Sequence, residues 1–384
     1  GLSSLTVRLP ALLGACIYIG SCFLLCRWLT TSWQLQTIPL ICLLWNPYLS
    51  DFYVAARGYG LALGCLVGAT AVVARHRLLP SVGRYRTPDL ARSWAVASAL
   101  LGLSFVASFP FAFINATTWA ALLAWTAPTD RKHLVRIVAA SVLPAATVIL
   151  TLASWTLLHW PQGELWDGAR SLRETFGNLA QASLFRPNPE IANPLVVSLA
   201  EAVGPVLIPA VLGLAALQLV LLVAYRKQLD ERAQRLLGFA LVLLGAIAGA
   251  VLLHWIAFQA FGMLLPRNRF SSYLIPLTTL AVGAVAAVTN PAVMGKAAVP
   301  RLGRVLLVGA LGTLGLYYSI CLRSSYFYEW FTDADIKEVY WVLDWYHRRH
   351  NVTEVASKMP ATDNLEFYRR ASGGSRALAP FRAT

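Results

Sequence analysis

The sequence predicts an all-α polytopic membrane protein, and three observations lead to that prediction. Of the 384 residues, 57% are hydrophobic and only 13% are charged, whereas soluble proteins carry roughly a quarter charged residues. The mean hydropathy is +0.59. Long apolar stretches recur along the chain, for example at 204–224 and 236–257. Each is near the roughly 20 residues with which a helix crosses about 30 Å of hydrocarbon.

Apolar runs separated by polar loops predict about ten transmembrane helices within residues 1–320. The predicted spans are 8–26, 33–47, 54–74, 92–108, 112–126, 135–158, 204–225, 236–258, 271–289 and 304–320. The fourth and fifth form a hairpin that turns at Phe109-Pro110-Phe111. We treat residues 1–320 as a transmembrane domain and 321–384 as an extracytoplasmic C-terminal segment.

The C-terminal segment contains one predicted amphipathic helix, at 333–349. Its apolar residues Ile336, Val339, Tyr340 and Leu343 recur at helical spacing. We expect this segment to be large enough to cover a pocket on its side of the membrane.

The loops between the spans differ in charge, which predicts their orientation. Residues 75–92 hold five arginines and one acid, and residues 226–235 hold four basic residues and two acids. Residues 160–201 instead hold three arginines and five acids. Because cytoplasmic loops are enriched in Lys and Arg, the first two loops are predicted to be cytoplasmic. The protein is then a multi-pass protein of the inner or plasma membrane, with its active face extracytoplasmic.

Composition also argues against two kinds of site. The six cysteines lie mostly in apolar runs, without CxxC or Cys/His metal-ligand spacing, so no metal site is predicted. The net charge of +14 is spread over short loops between apolar runs, so nucleic acid is not a predicted partner. The sequence identifies no cofactor.

The stretch NPYLSDFYVAARGYG, residues 46–60, is the first candidate site. It is predicted to be an outer loop that leads into the third span, and it contains Asp51, Arg57 and Tyr59. An acid at a helix N-terminus is stabilised in its ionised form by the macrodipole. An alternative remains open, in which Asp51 only caps the helix and Arg57 reaches the lipid headgroups.

The stretch PRNRFSSYLIPL, residues 266–277, is the second candidate site. Arg267 and Arg269 lie at the mouth of a span, followed by Tyr273 and by Pro276, which we expect to break the helix. A guanidinium group donates two coplanar hydrogen bonds, which suits it to phosphate. The alternative is that both arginines anchor the span at the interface. The loop at 159–203 is long, and loops of this length are often functional lids.

These motifs resemble one family. SLTVRLPALL (residues 4–13), NPYLSDFYVAARGYGLALG and PRNRFSSYLIPL are similar to segments of C-type membrane glycosyltransferases. The resemblance is to the branch containing protein O-mannosyltransferases (the dolichyl-phosphate-mannose-protein mannosyltransferase family) and aminoarabinose transferases. In that group an acid precedes an Arg-Gly-Tyr signature in the second outer loop. The tail, with YEWFTDADIK and NLEFYRR, is similar to the outer-face tail of bacterial members.

The resemblance implies transfer of a sugar from a polyprenyl-phosphate donor to an acceptor on the outer face. Arg269 would bind the phosphate, helped by Arg57 or Arg267, and Tyr59 would stack on the sugar. Asp51 would be an auxiliary catalytic acid that positions the acceptor or a basic partner, and Tyr273 completes the substrate-binding set. The expected partners are the lipid-linked donor, membrane lipid and an unidentified protein, lipid or glycan acceptor.

The resemblance also implies that the family's first span and principal acid precede Gly1. The 384-residue chain by itself is therefore expected to be inactive or nearly so.

Two other functions fit a polytopic chain with polar loops. A lipid-linked sugar flippase or another transporter would show repeats with paired broken helices and ionisable residues deep inside spans. We find no such repeat, and His254 is the main buried ionisable candidate. A structural membrane subunit is the third possibility, and it would leave the acid and the arginines without a chemical role.

Overall fold

A computed structural model describes most of the chain. The described residues are 4–79, 87–127, 131–159, 168–185, 191, 193–289, 298–323, 335–357, 361–371 and 382–383.

The described part of the chain is almost entirely helical, as the sequence predicts. The helices are α1 (Ser4–Leu29), α2 (Trp33–Leu44), α3 (Pro47–Val54), α4 (Tyr59–Leu78), α5 (Thr87–Ala107), α6 (Ala112–Thr126), α7 (Arg131–Leu152), α8 (Ser154–Leu158), α9 (Leu172–Ser183), α10 (Pro194–Ala224), α11 (Glu231–Phe261), α12 (Leu274–Val288), α13 (Ala298–Cys321), α14 (Ile336–His350) and α15 (Ala361–Ala371). Three 3₁₀ turns lie between them, η1 (Phe109–Phe111), η2 (Arg226–Gln228) and η3 (Asn268–Ser271). Two-residue strands β1 (Ala356–Ser357) and β2 (Arg382–Ala383) pair in parallel.

Within the described residues, eight helical segments are long and apolar enough to cross a membrane. The chain is therefore a multi-pass helical membrane protein, and the predicted fold class is confirmed at that level. The eight segments are Leu5–Leu29, Tyr59–Leu78, Pro88–Ala107, His133–Leu152, Val206–Ala224, Glu231–Phe261, Asn268–Val288 and Leu302–Cys321. The other two predicted spans, 33–47 and 112–126, correspond to α2 and α6, which have 12 and 15 residues.

Helix α12 is the centre of the bundle. All 15 of its residues are buried, and it contacts α1, α2, α10, α11 and α13. The sequence LIPLTTLAVGAVAAV allows this because it is apolar or small on every side. Pro276 lies in the first turn, where its missing N–H leaves no intrahelical bond unmade, so the expected break there is wrong. The irregularity is instead the 3₁₀ turn η3 just before α12.

Helices α1 and α4 approach so closely that their backbones are in contact. A Cβ added at Gly64 would meet the carbonyl of Gly14, and one added at Gly14 would meet the backbone of Gly60 and Leu61. Further along, Gly68 faces Ile17 of α1. Residues later in α1 contact residues later in α4, so the two helices run parallel. Small residues permit this approach, as is common between membrane helices.

Helices α5 and α7 also run parallel to each other. Ser98 of α5 accepts a hydrogen bond from the backbone N–H of Ala145 at 3.0 Å, and Gly102 faces Ala145 and Val148. The predicted turn at Phe109–Phe111 is present as η1 and leads into α6. In α6, Thr117 donates to the carbonyl of Ala246 at 2.9 Å, which fastens it to α11.

The tail has a small hydrophobic core of its own. Ile336 and Tyr340 of α14 and Leu365 of α15 are buried together. The predicted amphipathic helix is therefore present in the described residues 336–350, whereas positions 333 and 334 lie outside them. Of the apolar residues that predicted this helix, Val339 lies outside the core, since its side chain is 47% exposed.

Candidate functional site

The stretch around Asp51 is a separate helix, not the loop that the sequence predicted. Asn46 caps α3, because its side-chain oxygen accepts hydrogen bonds from the N–H groups of Tyr48 and Leu49 at 3.1 Å each. Pro47 follows at the first helical position, where proline is favoured. Asp51 lies one turn later and is only 3% exposed. The alternative in which Asp51 caps the third span is therefore wrong, since that span begins at Tyr59.

The junction between α3 and α4 places Arg57 at the surface. Its side chain is exposed, and its N–H donates to the carbonyl of Ala55 at 2.7 Å. The glycine that follows, Gly58, packs on the end of α5, where an added Cβ would meet the carbonyl of Ala107. Gly60 packs in the same way on the carbonyl of Phe52. Gly58 and Gly60 therefore permit the close approach of three backbone segments.

The second candidate stretch is held by backbone bonds before it enters the bundle. Helix α11 ends at Gly262, whose φ of 66° suits glycine. Leu265 then exchanges two backbone hydrogen bonds with Ala169, at 2.8 and 3.0 Å. Arg267 and Arg269 follow and are both half-buried. The Nε of Arg267 is buried and has no hydrogen-bond partner among the described residues.

An aromatic run brings the two candidate stretches together. The ring centroids of Phe52 and Tyr59 are 5.3 Å apart, and those of Tyr59 and Phe270 are 6.2 Å apart. The guanidinium carbon of Arg269 lies 5.9 Å from the Tyr59 ring centroid and 5.4 Å from that of Phe270. Tyr59 and Arg269, far apart in the sequence, are therefore in cation–π contact. Asp51 precedes the first ring of this run in α3.

Helix α9, in the predicted lid, contacts both α3 and η3. Ser171 caps it by accepting a hydrogen bond from the N–H of Glu174 at 3.1 Å. Its far end is fastened by Tyr317, whose hydroxyl donates to the carbonyl of Leu184 at 2.5 Å. The loop is shorter than predicted, because α10 begins at Pro194 and not near 204.

Tyr273 belongs to a buried aromatic cluster. Its ring lies 5.3 Å from that of Phe111 and 6.4 Å from that of His254. His254 also packs on Phe113 at 4.6 Å and bonds the carbonyl of Ala250 at 2.8 Å. This cluster joins η1, α6, α11 and α12 at the end of the bundle that holds the candidate stretches. Tyr273 is only 1% exposed, so its ring serves packing in this structure.

An apolar cavity of about 60 Å³ lies beside these elements. Its lining comes from α9, α10, α12 and α13. Ser183 and Thr278 line it, and the hydroxyl oxygens of both are buried without a hydrogen-bond partner among the described residues. Leu274 and Ile275, which follow η3 directly, are also part of the wall. The cavity therefore begins a short distance along the chain from Arg269.

Several site residues were not anticipated from the sequence. Phe52 and Phe270 complete the aromatic run, Asn46 starts α3, and Gly58 fits the junction. The Asn46-Pro47 pair was a readable signal, since Asn caps helices and Pro follows at the first position. The aromatic contacts had no such signal. Among the residues that the structure describes, no three His, Cys, Asp or Glu side chains are grouped to hold a metal ion.

Comparison with known proteins adds no relative. No family model matches the chain, and no curated protein matches it. The resemblance to membrane glycosyltransferases therefore stays a prediction that depends on the motifs themselves.

Proposed function

We propose that the chain is an integral membrane glycosyltransferase that moves a sugar from a polyprenyl-phosphate donor to an acceptor. The observation that carries the proposal is the contact of Arg269 with Tyr59 and Phe270, in the run of rings that continues to Phe52 beside the buried Asp51. A cation, an acid and aromatic rings are the groups that such a reaction needs. They come from two separate segments, and α9 contacts both.

Each group has a role in the proposed reaction. Negative charge grows on the phosphate oxygen as the sugar leaves, and a fixed guanidinium stabilises it more in the transition state than in the ground state. Arg269 is that group, and Arg267 is its helper because its Nε is already buried and lacks a partner in the described structure. Exposed Arg57 is a further phosphate contact. Asp51 positions the acceptor, and the Tyr59 ring contacts the sugar.

The cavity beside Thr278 supports a lipid-linked donor. Its walls are predominantly apolar, and it lies next to the segment that carries Arg269. A prenyl chain fits such a lining because it gains from leaving water and needs no hydrogen bonds. The donor would place its phosphate at Arg269 and the nearest part of its chain in the cavity.

The directions of the helices support ten crossings. Because α1 and α4 run parallel, the chain between Leu29 and Tyr59 has to return across the bundle, and α2 makes most of that return. Its 12 residues span about 18 Å at 1.5 Å per residue. The same reasoning applies to α6 between the parallel helices α5 and α7. The two short helices are therefore protein-packed crossings.

Loop charge supports an extracytoplasmic site. With the basic loops 75–92 and 226–235 in the cytoplasm, the end of the bundle with α3, η3 and the tail faces outside. We expect a cysteine at position 350 to react with an impermeant maleimide in intact cells and a cysteine at position 86 to react only after permeabilisation. The reverse pattern would contradict the orientation of the site.

The activity test uses the longest native form of the protein and a polyprenyl-phosphate sugar donor. Arg269→Lys keeps the charge but loses the planar two-donor group. We expect sugar transfer to fall roughly 10–150-fold, which matches ~1.5–3 kcal/mol for a hydrogen bond to a charged group. Asp51→Asn should also lower transfer. The matched control is Arg235→Lys at the other end of the bundle, where Arg235 pairs with Glu231 at 3.6 Å.

Unchanged transfer in both Arg269→Lys and Asp51→Asn would contradict the assigned roles. Movement of intact donor across vesicle membranes without transfer would favour the flippase alternative instead.

A further inference from the structure

In the described structure, one face of the tail helix α14 is packed, and the opposite side carries exposed apolar side chains together with Glu338 and Arg349. Ile336, Tyr340 and His347 are buried, and the ring of Tyr340 stacks on that of Tyr368 in α15 at 6.4 Å. The other side of α14 holds five apolar side chains that are between 47% and 53% exposed. They are Val339, Trp341, Val342, Trp345 and Tyr346.

We propose that this exposed face of α14 lies on the lipid headgroup interface of the membrane that the bundle spans. The inference rests on the membrane class of the protein and is independent of the proposed sugar transfer. Three features of α14 favour a lipid surface: its exposed side chains, its cations and its attachment to the bundle.

The side chains of the exposed face have the composition of a membrane interface. Trp341, Trp345 and Tyr346 are amphipathic aromatics, which concentrate at the level of the headgroups. Val339 and Val342 lie between them on the same side. An amphipathic helix of this kind lies in the plane of the interface, with its apolar face buried about 5–10 Å.

Two cations of α14 lie beside the aromatic rings of this face. The Nζ of Lys337 lies 4.6 Å from the Trp341 ring centroid, and the guanidinium carbon of Arg349 lies 5.5 Å from that of Trp345. Long cationic side chains at a membrane interface extend their charged ends towards the headgroups, and we expect this of Lys337 and Arg349. The net charge of α14 is +1, from Lys337, Arg348 and Arg349 against two acids.

The attachment of α14 keeps it near the bilayer. Helix α13, a candidate span, ends at Cys321, and α14 begins at Ile336. The connection of residues 322–335 reaches at most about 50 Å when fully extended. The bilayer surface is therefore within reach of the exposed tryptophans.

The test places a fluorescent probe on the exposed face in lipid nanodiscs. The full chain carries Cys16→Ala, because Cys16 is exposed and the other five cysteines are buried. An environment-sensitive maleimide is attached at position 345, and the matched control is attached at exposed Asp363 on α15. Quenching is measured with nitroxide lipids labelled near the headgroup and with aqueous iodide.

We expect lipid quenching at 345 to exceed that at 363 roughly threefold, with iodide quenching reduced by a similar factor. Equal iodide quenching at both positions would overturn the proposal. Protection of position 345 from both quenchers would also overturn it, since a protein surface would then cover the face. A second probe at position 342 repeats the measurement with both tryptophans in place.

Discussion

The bundle and the tail are stabilised in different ways. In the bundle, the backbones of α1 and α4 are in contact through glycines, and every residue of α12 is buried. In the tail, three buried side chains form the core, and half-exposed aromatics cover the far side of α14. Where backbones touch, an added side chain has no room to relax, so its effect spreads through both helices. Where a few side chains meet, a change stays local.

The expected effect that extends furthest through the molecule is at the glycine contact of the bundle. Gly14→Leu places a side chain against the backbone of Leu61, whereas Gly20 on the same helix has nothing within 4 Å of an added Cβ. Overpacking of this kind costs about 1–3 kcal/mol or more. We expect Gly14→Leu to lower the melting temperature of the purified protein by at least about 5 °C. Gly20→Leu is the control, and an equal loss in both variants would contradict the close packing.

The next effect concerns the junction of the two candidate stretches. Tyr59→Ala removes a ring that contacts Phe52, Phe270 and Arg269. The lost aromatic and cation–π contacts correspond to about 1–3 kcal/mol. We expect a lower melting temperature and a raised KM for the sugar donor. Tyr59→Phe keeps the ring and is the control. Equal behaviour of the two variants would show that the ring does not join the stretches.

An effect confined to the tail is expected from a change in its small core. Leu365→Ala removes part of a core whose other buried apolar residues, in the described part of the tail, are Ile336 and Tyr340. Truncation of a buried Leu costs about 2–5 kcal/mol. Hydrogen exchange should speed up in 336–350 and 361–371 and stay unchanged in α1 and α4. Val352→Ala, at a side chain 37% exposed, is the control. Faster exchange across the bundle would contradict the separation of the two regions.

The smallest effect depends on pH. Arg369 donates two hydrogen bonds to the carboxylate of Glu366. These bonds, together with Arg370, lower the pKa of the Glu366 carboxyl to about 2. Because the pKa is lowered in the folded state, the ionised Glu366 carboxyl stabilises the fold fully above pH 4.5, the usual pKa of the group. This stabilisation is lost as the pH falls towards 2. Glu366→Gln should therefore lower the local stability of α15 by about 1 kcal/mol at pH 7 and remove its acid dependence. Hydrogen exchange at pH 7 and pH 3 measures this.

Glu338→Gln in the neighbouring helix is the control for that comparison. If the Glu366→Gln variant still loses stability between pH 5 and pH 3 as the parent does, the ion pairs with Arg369 and Arg370 are not the cause.

Hydropathy predicted where the helices are, but it does not distinguish their surroundings. Helices α7 and α12 are both apolar, yet α12 is surrounded by protein and most of α7 is not. Both environments reward the same residues, so composition cannot separate them. Two helix starts, at Pro47 and Pro194, were missed although Asn precedes each proline and caps the helix. That signal is local and was available in the sequence.

The contact of Arg269 with Tyr59 was predictable only in part. Both residues were expected to lie on one side of the membrane, from the order of the spans and the charge of the loops. Which side chains touch there depends on the packing of α3, α4, α11 and α12, and no local pattern reports it. Burial of Asp51 was not predicted, for the same reason. Its helix α3 is contacted by α4 and by α9, and α9 lies far from it in the sequence.

Helix α9 is fastened at both of its ends. The backbone pair of Ala169 and Leu265 holds the approach to it, and the hydroxyl of Tyr317 holds the carbonyl of Leu184 just beyond it. Lifting α9 as a flap would break one set of these bonds, whereas sideways movement of a ligand from the bilayer leaves both intact. If the proposed lipid-linked donor binds here, the fastening favours its entry by lateral diffusion between helices. The rate at which the proposed donor exchanges between the site and the bilayer should then depend more on the fluidity of the lipid than on the viscosity of the water outside.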